Sequence, residues 1–231
     1  MSYGQESTSV GEYLVTARSF AEYQAMFALD DELTGTILDC PGGASSFTAE
    51  ATRRGARVTA VDPVYTTPAT ELTRHILAET ERGTAWTTAT SSRYVWDFYG
   101  SPDGHSAMRR AAAHQFAHDL VGHPERYVAG QLPSLPFEAG EFDIVLSSHL
   151  LFTYADRLDF AFHTSAIAEL LRVTRGEVRV FPLADQAGAP QPDLVDHVRR
   201  ALAAAGATTQ LRTVSFEFQR GVSEMLVVRH G

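Results

Sequence analysis

The sequence predicts an α/β fold, a doubly wound and mostly parallel seven-stranded sheet with a C-terminal antiparallel hairpin and a helical lid insertion. Three observations carry that expectation. Short β-branched apolar runs alternate with helix-length runs from residue 36 onward, the pattern of a parallel sheet covered by crossover helices. The first two strand-like runs each end on an acid, Asp39 and Asp62, with Pro41-Gly42-Gly43 or Pro63 close behind. The last two follow each other across a short Gly-containing turn, as the arms of a hairpin do.

Taken in order, an N-terminal cap over about 10–32 contains an amphipathic stretch with apolar recurrence at Tyr23, Met26, Phe27 and Leu29. Thr36 to Asp39 is the clearest buried strand, and its glycine turn opens a helix from Ser45 to Arg54 that Gly55 stops. Arg57 to Asp62 is the second strand, so these elements form a βαβ unit. Pro68 to Arg82 reads as a helix and Arg126 to Gly130 as a third strand. Between them lies a long insertion, about 83–125, with the aromatic string Tyr94 to Tyr99 and a helical run from Ser106 to Val121; insertions of this length in compact folds are commonly lids or binding elements. Phe142 to Leu146 is a strand, Arg157 to Val173 a helix that Asp156 caps, and Gly176 to Phe181 a fifth strand. Pro192 to Ala205 is a helix ending at Gly206, and Leu211 to Phe218 and Met225 to Arg229 are the hairpin strands.

The 231 residues suit one domain spanning 1–231. At 44% hydrophobic and 20% charged, the chain can bury a sizeable core, which excludes a disordered class. Its 19 Lys+Arg against 28 Asp+Glu leave a net −9, which disfavours nucleic acid as a partner. The single cysteine, Cys40, excludes an internal disulfide framework and a multi-Cys metal cluster, and suits a reducing compartment. Met1 to Glu12 lacks the basic and apolar regions of a leader, and no run of about 18 apolar residues is present to span a bilayer. The expectation is a cytoplasmic protein with no membrane partner, and the oligomeric state is not written in the sequence.

In a doubly wound sheet the ligand sits at the carboxyl ends of the strands. There, Asp39-Cys40-Pro41-Gly42-Gly43-Ala44-Ser45 sets a carboxylate beside a turn of small residues that opens a helix. Asp62 stands at the tip of the second strand, where an acid accepts both hydroxyls of a ribose. Ile37-Leu38-Asp39-Cys40-Pro41-Gly42-Gly43, Val61-Asp62 and the segment from Arg126 through Gln131 and Leu132 to Leu146 together resemble the class I S-adenosylmethionine-dependent methyltransferases. The resemblance covers about residues 33–231. It implies S-adenosylmethionine as cofactor, held by Asp39, Pro41, Gly42, Gly43, Asp62, Gln131, Leu132 and Ser147, with Gln131 in place of the usual adenine-contacting Asp. Pro41 and Ser45 replace the first and third glycines of the D-x-G-x-G-x-G pattern, and the Asn/Asp-Pro-Pro-aromatic signature of base-methylating enzymes is absent after the fourth strand. A nicotinamide dehydrogenase is the rival for the glycine turn, but it requires G-x-G-x-x-G where this chain has adjacent Gly42-Gly43.

Methyl transfer from a sulfonium needs positioning more than acid–base help. His149, just past the fourth strand, is the candidate proton acceptor. Tyr154, with Trp96, Phe98 and Tyr99 of the insertion, can offer π faces to a sulfonium. Arg18, Ser19, Tyr23 and Phe27 belong to the N-terminal cap, where Arg18 can hold a carboxylate of cofactor or acceptor. His114 and His118 have the i, i+4 spacing of zinc ligands, near His105 and His123, but Gln115 stands where H-E-x-x-H needs Glu. No metal is expected. Asp156, Asp159 and His163 make a further polar cluster. The expected activity is methylation of a small-molecule acceptor; the alternatives are ring closure of the cofactor to azetidine-2-carboxylate with release of methylthioadenosine, and a non-catalytic binding protein.

Overall fold

The computed structural model describes residues 14–231; the reading of Met1 to Glu12 and the beginning of the N-terminal cap, 10–13, lie outside the described residues. Helix α1 (Phe20–Phe27) opens at a capping box in which Ser19 and Glu22 satisfy each other's main-chain amides. It ends at Ala28, whose φ of 47° is left-handed. Strand β1 (Thr36–Asp39) leads through the glycine turn to α2 (Phe47–Arg53), and Gly55, at φ 109°, turns the chain into β2 (Arg57–Val61). Helices α3 (Ala69–Ala89) and α4 (Pro102–Gly122) follow, then β3 (Tyr127–Val128), β4 (Phe142–Ser148), α5 (Phe160–Val173), β5 (Thr174–Phe181), α6 (Pro192–Ala204), β6 (Ala207–Thr213) and β7 (Glu224–His230).

The seven strands form one sheet in the order β3-β2-β1-β4-β5-β7-β6. The first five are parallel, while β7 runs antiparallel to both β5 and β6. Alternation along β1 sends neighbouring side chains to opposite faces. Leu38 joins Val145, Ile167, Leu170 and Val198 under α5 and α6, whereas Ile37 joins Phe27, Phe47 and Phe216 under α1 and α2. On the latter face, Ala60 of β2 packs with Leu72 and Ile76 of α3 and Phe116 of α4. Strand order reverses between β1 and β4, so their carboxyl ends bound the crevice of the fold.

Several boundaries differ from the sequence expectation, α4 for one beginning at Pro102 with Ser101 as its cap, and those of four other elements have physical reasons in the packing. Helix α3 continues through Gly83 to Ala89, with the buried Thr87 facing inward and the Arg110–Glu81 fork, at 2.6 and 2.8 Å, tying the helix to α4. The insertion is therefore largely a helical pair. Strand β3 has only two residues, because Arg126 belongs to a single tight turn over Pro124–Arg126. Strand β6 begins at Ala207 and ends at Thr213, and Phe216, 1% exposed, is drawn instead into the aromatic packing beneath the insertion. Helix α5 starts at Phe160 with Asp159 as its cap, accepting from the Phe162 amide at 2.7 Å; Asp156, assigned that cap from sequence, pairs with Arg157 instead.

Candidate functional site

The carboxyl end of β1 is sealed. Asp39 is fully buried and accepts the Tyr23 hydroxyl at 2.9 and 3.1 Å on its two oxygens. Burial holds its carboxyl well above the usual range, against the pull of the Tyr23 hydrogen bond and with the help of nearby Asp62. Cys40 is buried and burial pushes its thiol up, so it behaves as a packed apolar side chain. Pro41 is half-buried in the turn. A Cβ on Gly42 would lie 2.5 Å from the Tyr65 hydroxyl and 2.7 Å from the Ala60 Cβ, so the missing side chain here makes room for Tyr65 and β2. That hydroxyl donates to the Gly43 carbonyl at 2.9 Å.

Gly43 has φ 52°, and its amide donates to Asp62 Oδ2 at 2.9 Å. Asp62 Oδ1 accepts from the Val64 amide at 3.0 Å and caps the single turn over Pro63–Thr66. One carboxylate thus fixes both the glycine turn and the exit from β2. Burial raises the pKa of Asp62 despite those two amides.

Beyond β3, Gln131 is exposed and its carbonyl accepts the Ser134 amide at 3.1 Å, while Leu132 is buried against Val61. At the end of β4, Ser147 is 1% exposed and its hydroxyl has no hydrogen-bond partner among the described residues. His149 follows at φ 52°, a left-handed conformation uncommon for a residue with a side chain. Its amide donates to the Phe181 carbonyl at 2.7 Å, and Nδ1 lies 2.9 Å from the Ser148 hydroxyl. Burial, then the charges of Arg18 and Arg109, hold the imidazole well below its usual pKa, so it is neutral at neutral pH. Tyr154 is buried, accepts the Leu14 amide at 2.9 Å and packs beneath Arg157.

From Leu14 to Ser19 the chain crosses these strand ends without regular secondary structure. The Thr16 carbonyl lies 3.6 Å from the position a Gly43 Cβ would take, and the Arg18 carbonyl accepts the Ser46 amide at 2.8 Å. Behind this segment, α1, α4 and the insertion enclose a polar cluster. Glu22 Oε1 accepts the Tyr99 hydroxyl at 2.7 Å and pairs with Arg109 at 2.9 Å, while Oε2 accepts the Ser19 amide and hydroxyl at 2.7 and 3.0 Å. Arg109 also donates to the Ala17 carbonyl at 2.5 Å and to His105 Nε2 at 3.1 Å. Burial, then the Arg109 charge, pushes Arg18 down to about 10 against the attraction of Glu22.

Arg18, Tyr23 and Tyr99 are therefore brought together around Glu22 and Asp39. Trp96 is not: its indole donates to the Ser91 carbonyl at 3.0 Å, and its ring packs edge-on against His105 and Phe218. His114 and His118 lie exposed on the outer side of α4. Glu22, Arg109 and Tyr65 were missed in the sequence. Glu22 had a readable signal, the Ser-x-x-Glu of a capping box, and Arg109 stands four residues after His105 on one helix face. Nothing local marked Tyr65.

Comparison with known proteins adds three findings. A family model described as a methyltransferase domain matches residues 82–181. An uncharacterised protein of Methanocaldococcus jannaschii is 27% identical over 223 residues, spanning 94% of this chain and 96% of that one. Among solved structures, a mitomycin 7-O-methyltransferase aligns with a TM-score of 0.50 at 13% identity, covering 92% of this chain and 54% of its own. The Burkholderia thailandensis 1,6-didemethyltoxoflavin-N1-methyltransferase, solved with 1,6-didemethyltoxoflavin and S-adenosylhomocysteine, aligns with a TM-score of 0.47 at 17% identity, covering 91% of this chain and 76% of its own.

Proposed function

We propose, proceeding from the class I S-adenosylmethionine-dependent methyltransferase that the domain match and the sheet support, that this chain methylates a small molecule bound between His149 and the Arg18–Tyr99 cluster. The observation that carries the reading is the pairing, at one crevice, of the Gly43–Asp62 contact with a neutral imidazole in a left-handed backbone.

The residues present fit the cofactor. Each Asp62 oxygen accepts a single hydrogen bond, which leaves an acceptor position on each for a ribose hydroxyl. The unpartnered Ser147 hydroxyl supplies a further polar group at the strand ends. Gln131, exposed beyond β3, has an amide able to pair with an adenine edge, and Leu132 provides apolar surface beside it. When bound, S-adenosylmethionine supplies an electrophilic methyl on a sulfonium whose leaving group is a neutral thioether.

His149 then needs only to accept a proton. In the tautomer whose Nδ1–H donates to the Ser148 hydroxyl, Nε2 carries the lone pair that takes the acceptor proton, and the depressed pKa keeps the ring neutral and that lone pair unprotonated. The Leu14–Ser19 segment covers the crevice and excludes water from it, which strengthens each polar contact inside.

The test is incubation of the protein with S-adenosylmethionine, alone and with a metabolite extract, followed by mass spectrometry. S-adenosylhomocysteine formed only with extract is the expected result. Methylthioadenosine formed without an acceptor would replace this reading with intramolecular ring closure, and no product in either arm would leave a binding protein. Asp62→Ala is expected to lower cofactor affinity by at least tenfold, read by calorimetry, with the cooperative melt of the ligand-free protein retained.

A further inference from the structure

Beyond β5 the chain builds a second cleft, framed by three segments. These are the strap of the insertion at Arg93 and Tyr94, the loop 182–191 that joins β5 to α6, and the loop 214–223 that joins β6 to β7. Tyr94 and Gln219 form an antiparallel bridge, and the Val95 amide donates to the Phe218 carbonyl at 2.8 Å. That register sets Arg93 across from Arg220, the next residue outward in each segment. Gly188, at φ 84°, brings its loop against Gln219, whose side-chain amide donates to the Gln186 carbonyl at 3.1 Å. The cleft so enclosed has a volume of about 100 Å³.

Like charges directly opposite each other across a bridge destabilise it. Among the described residues neither Arg93 nor Arg220 has an ion pair or a side-chain hydrogen bond, and no acid lines the cleft. The acids of the flanking loops are engaged within them: Asp185 accepts the Ala187 and Ala189 amides, each at 2.9 Å, and Glu217 accepts the Gly221 amide at 2.8 Å. In a chain of net −9, two arginines at one cleft with no carboxylate between them call for an anion from outside. We propose that this cleft is the seat of a phosphate group, carried by a small metabolite or free in solution, with Arg93 and Arg220 holding it from two sides. A phosphate carries about −1.5 to −2 charges at neutral pH, which matches two guanidinium groups, and its oxygens accept the planar fork of each. A whole drug-sized ligand needs about 300 Å³ or more, so the cleft takes the phosphate and leaves the rest of an ester in solvent. The crevice at β1 and β4 lies on the other side of an aromatic wall. In it His149 meets Phe181, Phe181 meets Phe216, Phe216 meets Tyr99, and Tyr99 meets Phe218, on which Tyr94 stacks at 4.3 Å. Occupancy of the cleft therefore does not depend on what is methylated, and a bound phosphate ties the insertion strap to the β6–β7 loop.

Both tryptophans of the chain report on the cleft, since Trp86 and Trp96 pack edge-on against Tyr94 with ring centres 6.4 and 5.8 Å away. The full chain, in a phosphate-free buffer, is titrated with inorganic phosphate, glycerol 3-phosphate, acetate and chloride at matched ionic strength, followed by tryptophan fluorescence and calorimetry. Phosphate is expected to bind saturably with a Kd below about 1 mM, and acetate at least about tenfold more weakly. Arg93→Gln and Arg220→Gln should each weaken phosphate by about tenfold or more, with Arg93→Lys, which keeps the charge and loses the fork, in between. Tighter binding of glycerol 3-phosphate than of inorganic phosphate would assign the seat to a phosphorylated metabolite, and equal or weaker binding to the free ion. No saturation by about 10 mM phosphate, a response that acetate or chloride reproduces, or unchanged phosphate affinity in both glutamine variants would overturn the proposal. The phosphate-free melt separates a structural role: the glutamine variants should melt no lower than wild type, because each removes one of two unpaired like charges. A drop of more than about 4 °C in both would make the arginines packing residues and overturn the site.

Discussion

Glu22 is the pivot of the charged cluster, and removing it exposes the cost of the groups it holds. Burial alone would raise its carboxyl, but the charges of Arg109 and Arg18, the Ser19 amide and the Tyr99 hydroxyl outweigh burial and leave it lowered. Glu22→Ala strands Arg109 and Arg18 together and is expected to cost about 3–5 kcal/mol in urea unfolding. The stability Glu22 contributes is present above the unfolded carboxyl value, about 4.3, and is lost as pH falls through the lower folded value. His105 acts in the same direction. It is 4% exposed, and burial together with Arg109 pushes it down to about 3. The unfolded chain takes up that proton near 6.5 and the native state only near 3, so stability falls as pH drops through this window, by about 1.4 kcal/mol per unit. His105→Gln should flatten the urea midpoint between pH 6 and 4 by that slope, as ~1.4 kcal/mol per unit requires. Single residues also show what sequence can reveal about a site. Asp39, Asp62 and His149 stood out because strand ends concentrate ligand contacts. Arg109 did not, because its role depends on Glu22, 87 positions away in the chain and reached only through the packing of α1 on α4.

The glycine turn shows how one element serves packing and site together. Gly42→Ala would drive a methyl into the Tyr65 hydroxyl and the Ala60 Cβ, and overpacking of this kind costs about 1–3 kcal/mol. Tyr65→Phe in the same chain should recover only part of that loss in thermal melts, since the Ala60 contact persists. The turn was readable from sequence as a turn, but the reason for its glycine was not, because Tyr65 returns to it from beyond β2. The strands show the same division. Their order of appearance and their parallel core followed from alternation and β-branched runs, since each strand is short and bounded by glycine or proline. The ends of α3 and β6 did not. Helix α3 passes through Gly83 because its packing on α4, tied by the Arg110–Glu81 fork, outweighs a weak local propensity, and the Phe216 segment leaves the hairpin because its aromatic partners lie in the insertion.

Across the whole molecule, charge sets what approaches it. All 19 cations are arginines, so the positive charge does not titrate in any ordinary buffer and the net −9 is governed by the acids and histidines. The protein is expected not to retard a 20-nucleotide RNA or a duplex DNA in gel shift at about 0.15 M salt, where the Debye length is about 8 Å; retardation at that salt would redirect the acceptor search to nucleic acid. Among the described residues, no helix is long and apolar enough to cross a membrane. The place of β7 has a consequence of another kind. It lies between β5 and β6 although it is later in the chain than both. During synthesis β5 waits as an open edge, and β6 has no strand to join, until residues 224–230 clear the ribosome. The sheet is thus completed from its middle by the last of its seven strands in chain order. A stalled or prematurely terminated chain would present unpaired β5 backbone, a template for association with its neighbours on the same messenger.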